Sequence, residues 1–321
     1  MTALVVVLDD YQDVALSSAD WSQVRAQCRI HVAREHIFDA EALVELLREA
    51  DVIVAMRERT PFTAALLDQL PKLRLLITTG MDNPSIDLNA AAKHGVVVCG
   101  TRGSPPSSTE LPWALVMNLM RNVTAEDAGV RAGRWQLGLG RQLAGSTIGL
   151  LGLGSIGQRM CRYARAFDMN VLAWSTNLTP EQAAEHGATW VTKDDLFSRS
   201  DVVSIHVKLS DRTRGLVGRR ELALLGPDGL LVNAARGPIV DERALIEALE
   251  TKGIAGAALD VFDVEPLPAD HPLRRTPNTI LTPHIAYVTR QVYAAYYRDV
   301  VADIEQWLAG SPVRVLHPAT V

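Results

Sequence analysis

The stretch T-I-G-L-L-G-L-G-S-I-G-Q, Thr147 to Gln158, decides how this chain is read. An apolar run leads into Gly152, Gly154 and Gly157 in G-x-G-x-x-G spacing, and a helix-like pattern follows. A strand–turn–helix of this kind brings backbone close to a pyrophosphate and aims a helix N-terminus at its charge. The turn lies mid-chain. Nearly half of the sequence precedes it and has α/β character of its own. This predicts a dinucleotide domain inserted into a second domain, as in a two-domain oxidoreductase.

Outward from the turn, short apolar runs alternate with helical patterns in both directions. Toward the N-terminus the expected strands are Leu4–Leu8, Arg29–Ala33, Asp51–Met56, Leu73–Thr78 and Val96–Cys99, with helices over Asp39–Glu49, Thr63–Gln69 and Asp87–His94. Continuous β-branched runs point to strands covered on both faces, hence a parallel sheet. The Gly/Pro/Ser-rich loop Gly100–Ser108 marks a boundary. Beyond it, Thr109–Ala128 reads as one long helix. A second sheet follows as Thr147–Leu151, Asn170–Trp174, Val202–Val207, Leu230–Ala234, Gly256–Val261 and Thr279–Thr282, with helices at Ile156–Phe167, Pro180–His186 and Glu242–Glu250. That rhythm is doubly wound. The last helix, Arg290–Ala309, is expected to pack back on the front domain. The boundaries are 1–101 plus 290–321 for a substrate domain, and 102–289 for the dinucleotide domain.

With 321 residues, two cores are affordable. Lys plus Arg number 32 against 37 Asp plus Glu, a net charge of -5, so no electrostatic case exists for nucleic acid or an acidic membrane. Cys28, Cys99 and Cys161 form no C-x-x-C pair and no even set, which suits a reduced, cytoplasmic compartment. The apolar run Ala3–Leu8 is too short for a signal peptide or membrane span. No metal site is expected.

The turn has one missing companion. Turns that bind NAD usually carry an acidic residue at the end of the next strand, for the ribose hydroxyls. Here that strand is N-V-L-A-W-S-T-N, and Ser175 takes the position, followed by Thr176 and Asn177. Asp168 precedes the strand, at the end away from the ligand crevice, and reads as a turn residue. The cofactor is NAD or NADP, with NAD favoured because nothing near Ser175 supplies positive charge.

Three later segments carry candidate chemistry: N-A-A-R-G-P-I-V-D-E around Arg236, A-L-D-V-F-D-V-E-P-L-P with Asp260 and Glu265, and I-L-T-P-H-I-A-Y with His284. Each polar residue follows a strand, at the edge where open α/β sheets bind ligands. Taken singly, each has an ordinary explanation: a solvated loop Arg, a turn Glu, a structural His. Their shared edge beside the glycine turn is what singles them out.

This arrangement closely resembles the D-isomer-specific 2-hydroxyacid dehydrogenase family, which includes phosphoglycerate dehydrogenases and glycerate/hydroxypyruvate reductases. The resemblance runs over nearly the whole chain, including D-V-I-V-A-M-R-E-R-T, T-T-G-M-D-N, the glycine turn, H-V-K-L-S-D-R-T-R-G and the three segments above. It implies a Rossmann-type doubly wound nucleotide domain inserted into a flavodoxin-like α/β substrate domain. It also implies reversible NAD(P)-linked reduction of a 2-keto acid to a D-2-hydroxy acid. In that scheme Arg236 holds the substrate carboxylate, His284 is the acid/base, and Glu265 orients His284 and favours its charged form. Asp260 matches a position that contacts the nicotinamide amide, and Ala234 a cofactor-lining position. Ser155 and Ile156 would offer N–H groups to the pyrophosphate. The N–H groups of Thr79 and Gly80 would receive the substrate carboxylate, with Arg57 within reach of it. A homodimer is implied through the nucleotide domain, with Trp113, Leu115, Met117 and Trp135 as its apolar material.

The chain departs from the family at Ser175, at Ala286 where glycine is frequent, at Met81 and Pro84 in the carboxylate loop, and over Pro105–Leu111, where only Glu110 matches. These departures surround the substrate. Two other readings compete. An NAD-sensing corepressor of the same fold would keep the Arg, Glu and His. A formate- or phosphite-oxidising relative is the other; formate-type members carry Gln in place of Glu265.

Overall fold

A computed structural model describes residues 2–103 and 107–317; residues 104–106 of the boundary loop fall outside them. The chain forms two compact units, residues 1–104 with 288–321, and residues 105–287.

The first unit opens as β1 (Ala3–Val7), α1 (Ser22–Gln27), β2 (Cys28–Val32), α2 (Ala40–Leu47), β3 (Val52–Ala55), α3 (Ala64–Leu67), β4 (Leu75–Thr78), α4 (Leu88–Lys93) and β5 (Val97–Gly100). The sheet order is β2-β1-β3-β4-β5, parallel throughout. That is the flavodoxin-like order, reversing direction between β1 and β3. Every residue of β3 and β4 is buried, which is why these strands read as unbroken apolar runs. Helix starts are fixed by side-chain caps: Asp39, Thr63 and Asp87 accept from the backbone N–H of Ala42, Leu66 and Ala90.

The second unit comprises α5 (Ser107–Arg121), α6 (Val123–Arg131), β6 (Thr147–Leu151), α7 (Ser155–Ala166), β7 (Asn170–Trp174), α8 (Pro180–Glu185), β8 (Thr189–Trp190), α9 (Lys193–Ser198), β9 (Val202–Ile205), α10 (Arg219–Leu225), β10 (Leu230–Asn233), α11 (Glu242–Glu250), β11 (Gly256–Leu259) and β12 (Thr279–Leu281). Its sheet runs β12-β11-β10-β9-β6-β7-β8, again all parallel. One face buries Ile148, Leu150, Val202 and Val232 with α5 and α7, and the other buries Leu151, Val203, Ile205 and Leu231 with α9 to α11. The winding direction reverses at β6 and β9, directly at the glycine turn.

The expected single helix over Thr109–Ala128 is instead two helices. Asn122 sits between them in the left-handed region at φ 53°. Asn tolerates that conformation, and the Asn118 side chain caps the second helix by accepting from Thr124 N at 2.9 Å. Trp113 and Leu115, expected at a subunit interface, are buried in their own unit at 8% and 3% exposure. Their rings and methyls pack on α7, with Trp113 against Tyr163 and Phe167. Met117 is half-buried, and only Trp135 stands out, 78% exposed.

The final helix α12 (Arg290–Leu308) packs in the first unit, where Tyr297 meets Trp21 and Asp299 pairs with Arg102. After it, Val315 bridges Cys99 antiparallel, and Leu316 donates to Val98 O, so the chain closes the β5 edge of the sheet. This places Arg314 over the buried Asp303. Arg314 Nη2 reaches Asp303 Oδ1 at 2.9 Å, yet among the described residues neither carboxylate oxygen has hydrogen-bond geometry to a donor. Burial therefore outweighs the guanidinium and pushes the Asp303 carboxyl up to about 7.

The sign of that shift makes a prediction. A carboxyl raised from 3.8 to about 7 on folding is stabilising while protonated, and that advantage is lost as pH rises through this window. Replacing Asp303 with Asn mimics the protonated form. It should raise stability by about 1–3 kcal/mol at pH 8 and by roughly a third of that at pH 5, where only the first part of the window has been crossed. Thermal or urea unfolding at the two pH values measures the difference. An equal effect at both would refute the assignment.

Candidate active site

The turn after β6 is shaped by its glycines. Gly152 adopts φ +107°, and a Cβ there would lie 2.8 Å from the carbonyl carbon of His206. A Cβ on Gly157 would stand 2.1 Å from Gly152 O, so α7 sits closer to its strand than any side chain permits. Gly154 has nothing within 4 Å of its Cβ position. It is also the cap of α7 and supplies no side-chain acceptor. Ser155 and Ile156 thus begin a 12-residue helix at an open corner. Close approach, room at the middle glycine and an uncapped helix start are what a pyrophosphate requires, and the residues fit a dinucleotide.

Ser175 is half-buried at the end of β7, with Thr176 and Asn177 exposed beside it. Asp168 lies in the turn between α7 and β7 at φ 57°, on the opposite edge of the sheet. Beneath the glycine turn sits a residue the sequence reading passed over. His206 donates its backbone N–H to Leu151 O, and its ring Nε2 is sealed from solvent without a partner among the described residues. Burial pushes its pKa down to about 4, so it is neutral at physiological pH.

The three polar segments follow β10, β11 and β12, neighbours in the sheet whose carboxyl ends share one edge. After β12, His284 Nδ1 lies 2.6 Å from Glu265 Oε2. The other oxygen of Glu265 accepts the Phe262 N–H at 2.9 Å, which fixes the carboxylate against its own turn. The Arg236 loop is packed on that turn, for a Cβ on Gly237 would come within 2.2 Å of the Phe262 carbonyl carbon. Asn233, 1% exposed, ties this loop from within by donating to Arg236 O and accepting from Ala235 N. Ala234 lies just past β10, half-buried, and Arg236 donates to Ala235 O at 2.7 Å.

Asp260 is tied into the histidine loop. Its fully buried carboxylate faces the His284 loop: Oδ1 accepts from Thr282 Oγ1 at 2.7 Å and from Ile285 N at 2.8 Å, and Oδ2 from Ala286 N at 3.0 Å. Burial raises the Asp260 pKa, while these hydrogen bonds and the charge of His284 pull it down. The carboxylate clasps the chain on both sides of His284, which itself stands at φ 53°. Asp260 thereby positions the histidine loop.

In the first unit, Arg57, Thr79 and Gly80 come together. Arg57 N donates to Thr79 Oγ1 at 2.8 Å and its guanidinium to Thr79 O at 3.2 Å. A Cβ on Gly80 would fall 2.0 Å from Arg57 Nη1. The N–H groups of Thr79 and Gly80, expected to receive a carboxylate, are bonded within the first unit. Thr79 N donates to Ala55 O, and Gly80 N to the Thr101 hydroxyl. Sheet pairing and a buried threonine consume both donors, leaving the Arg57 guanidinium over the loop.

Two further residues escaped the sequence reading. Tyr287 sets its ring edge-on to His284, centroids 5.7 Å apart. Its signal was an aromatic three places after the histidine in one short loop. Asn233 was visible as an Asn ending an otherwise apolar strand.

With this geometry in hand, comparison with known proteins is specific. Residues 113–286 match the family model described as D-isomer specific 2-hydroxyacid dehydrogenase, NAD binding domain. A glyoxylate reductase of Aeropyrum pernix is 38% identical over 261 residues, covering 78% of each chain. A D-3-phosphoglycerate dehydrogenase of Archaeoglobus fulgidus is 35% identical over 84% of this chain, which spans only 52% of that protein. The crystal structure of a phosphoglycerate oxidoreductase from Vibrio cholerae O395 superposes with a TM-score of 0.91 at 34% identity, over 97% of this chain and all of that one. The chain belongs to the D-isomer-specific 2-hydroxyacid dehydrogenase family of NAD(P)-dependent oxidoreductases.

Proposed function

We propose that the chain interconverts a 2-keto acid and its D-2-hydroxy acid, with the second unit holding the cofactor and the first contributing to substrate binding. The hydrogen bond between His284 and Glu265, on the sheet edge that bears the glycine turn, is the observation that carries this reading. A bound nicotinamide supplies or accepts the hydride. His284 Nε2, the ring nitrogen away from Glu265, donates a proton to the carbonyl oxygen in reduction and recovers it in oxidation. Glu265 fixes the orientation of the ring. Arg236 supplies a planar fork for the substrate carboxylate and polarises the adjacent carbonyl. Ser155 and Ile156 hold the pyrophosphate, and Ser175 meets the ribose. The exposed Trp135, Leu139 and Val130 on and after α6 form the face of a homodimer in this proposal.

The test is a panel of 2-keto acids, from glyoxylate and pyruvate to hydroxypyruvate and phosphohydroxypyruvate, assayed with NADH and with NADPH. Reduction of at least one acid, with NADH the better cofactor, is expected. A hundredfold preference for NADPH would overturn the choice of cofactor, and no turnover of any acid would overturn the function.

A further inference from the structure

Glu265 lies on the long excursion that joins β11 to β12, residues 260–278 of the second unit. Its carboxylate meets the Phe262 N–H and His284, and neither contact reaches back to the helices behind the sheet. Glu242, the first residue of α11, makes that connection. Its Oε1 lies 3.1 Å from His271 Nε2, and the Asp263 backbone N–H also donates to its carboxylate.

Asp263 stands two residues before Glu265, and His271 six after it. One side chain on α11 therefore fastens both feet of the segment that carries Glu265. Adjacent amides are shared out between two carboxylates: the Phe262 N–H goes to Glu265 and the Asp263 N–H to Glu242. Any shift of the second amide is felt one residue away, where Glu265 is bonded.

The fastening is largely covered, with the Glu242 side chain 22% and that of His271 18% exposed. His271 Nδ1 accepts from Leu273 N at 3.3 Å, capping the short 3-10 turn Pro272–Arg274. The proton of the neutral imidazole is then on Nε2 and points at Glu242, so the contact holds without a charged histidine. Burial raises the Glu242 carboxyl, and the charge of Asp263 adds to that, against the pull of His271 and the Asp263 amide. Asp241 caps α11 alongside, and the charge of Arg214 offsets Asp263 from the loop after β9. Glu242 also borders the Arg236 loop. It lines a cavity of about 10 Å³ with Asn233, Gly237 and Val261, room for about one water.

We propose that Glu242 and His271 are positioning residues, which hold the excursion where the Glu265 carboxylate orients His284. This rests on the acid/base roles proposed above and adds two residues that act only through Glu265. Reacting groups need to be held within about 0.5 Å of their productive place, and that restraint comes from bonds to the supporting backbone.

The test is the kinetics of the full chain on the best acid of the panel, with each rate divided by the NADH-competent fraction from fluorescence titration. Unfolded protein then does not count. In His271→Ala, kcat should fall about tenfold or more while KM for NADH stays within about threefold of native. In His271→Gln the amide nitrogen reaches the place of Nε2 and still donates to Glu242, so kcat should return to within about threefold of native. Added to Glu265→Gln, His271→Ala should cost less than about threefold further, because the group it positions is already lost. Glu242→Gln keeps one acceptor oxygen for two donors, and its kcat should also fall about tenfold, which serves if His271→Ala does not fold. Native kcat in both His271→Ala and Glu242→Gln would overturn the positioning role. So would a His271→Gln enzyme as slow as His271→Ala, or a full tenfold loss on top of Glu265→Gln. No turnover by the native enzyme, or native kcat in Glu265→Gln alone, would instead sink the acid/base scheme, and the positioning role with it.

Discussion

Replacing His284 with glutamine should lower kcat by roughly 10²–10⁴ while leaving the dissociation constant for NADH within about threefold of native. Glutamine keeps a polar side chain in the loop but offers no group that exchanges a proton near neutral pH. The residues proposed for the pyrophosphate lie at the start of α7, just after β6, whereas His284 follows β12 at the far end of the same sheet. Chemistry and cofactor binding should therefore separate cleanly. Stopped-flow hydride transfer and fluorescence titration of NADH provide the two readouts. Native turnover in the variant would remove His284 from the mechanism.

The second large effect is expected at Asp260. In Asp260→Asn the amide oxygen can still accept from Thr282 and Ile285, but the amide nitrogen then faces the Ala286 N–H, donor against donor. A hydrogen bond to a charged acceptor contributes about 1.5–3 kcal/mol, and a non-glycine residue in the left-handed region costs about 1–3 kcal/mol to hold. Release of the clasp lets His284 relax from φ 53° and swing off its line to the substrate. Losing about 2–3 kcal/mol of that restraint corresponds to a fall in kcat of roughly 30- to 150-fold. Were nicotinamide contact the sole role, KM for NADH would rise while kcat held. The split between kcat and KM decides between the two.

The sequence disclosed most of the frame because its strongest signals are local. Gly152, Gly154 and Gly157 each answer a steric demand of one turn, and the strands of two parallel sheets are buried on both faces, so their apolar runs are unbroken. That Arg236, Glu265 and His284 follow neighbouring strands on one sheet edge was legible, because parallel strands deliver their ends to one edge. What stayed hidden depends on long-range partners. The donors of Thr79 and Gly80 are claimed by Ala55 and Thr101, residues far away in sequence. The Asp260 clasp joins positions 22 to 26 residues apart. Asn122 broke the long helix through backbone geometry that a helical periodicity does not record.

That every strand in both sheets runs parallel has an evolutionary corollary. The loops leaving the strand tops hold all the candidate chemistry, whereas those entering from below only join helices to strands. Diversification can thus proceed on one rim while the other conserves foldability. A lineage could trade one acid for another by rewriting a few residues on that rim, without disturbing the interior beneath them.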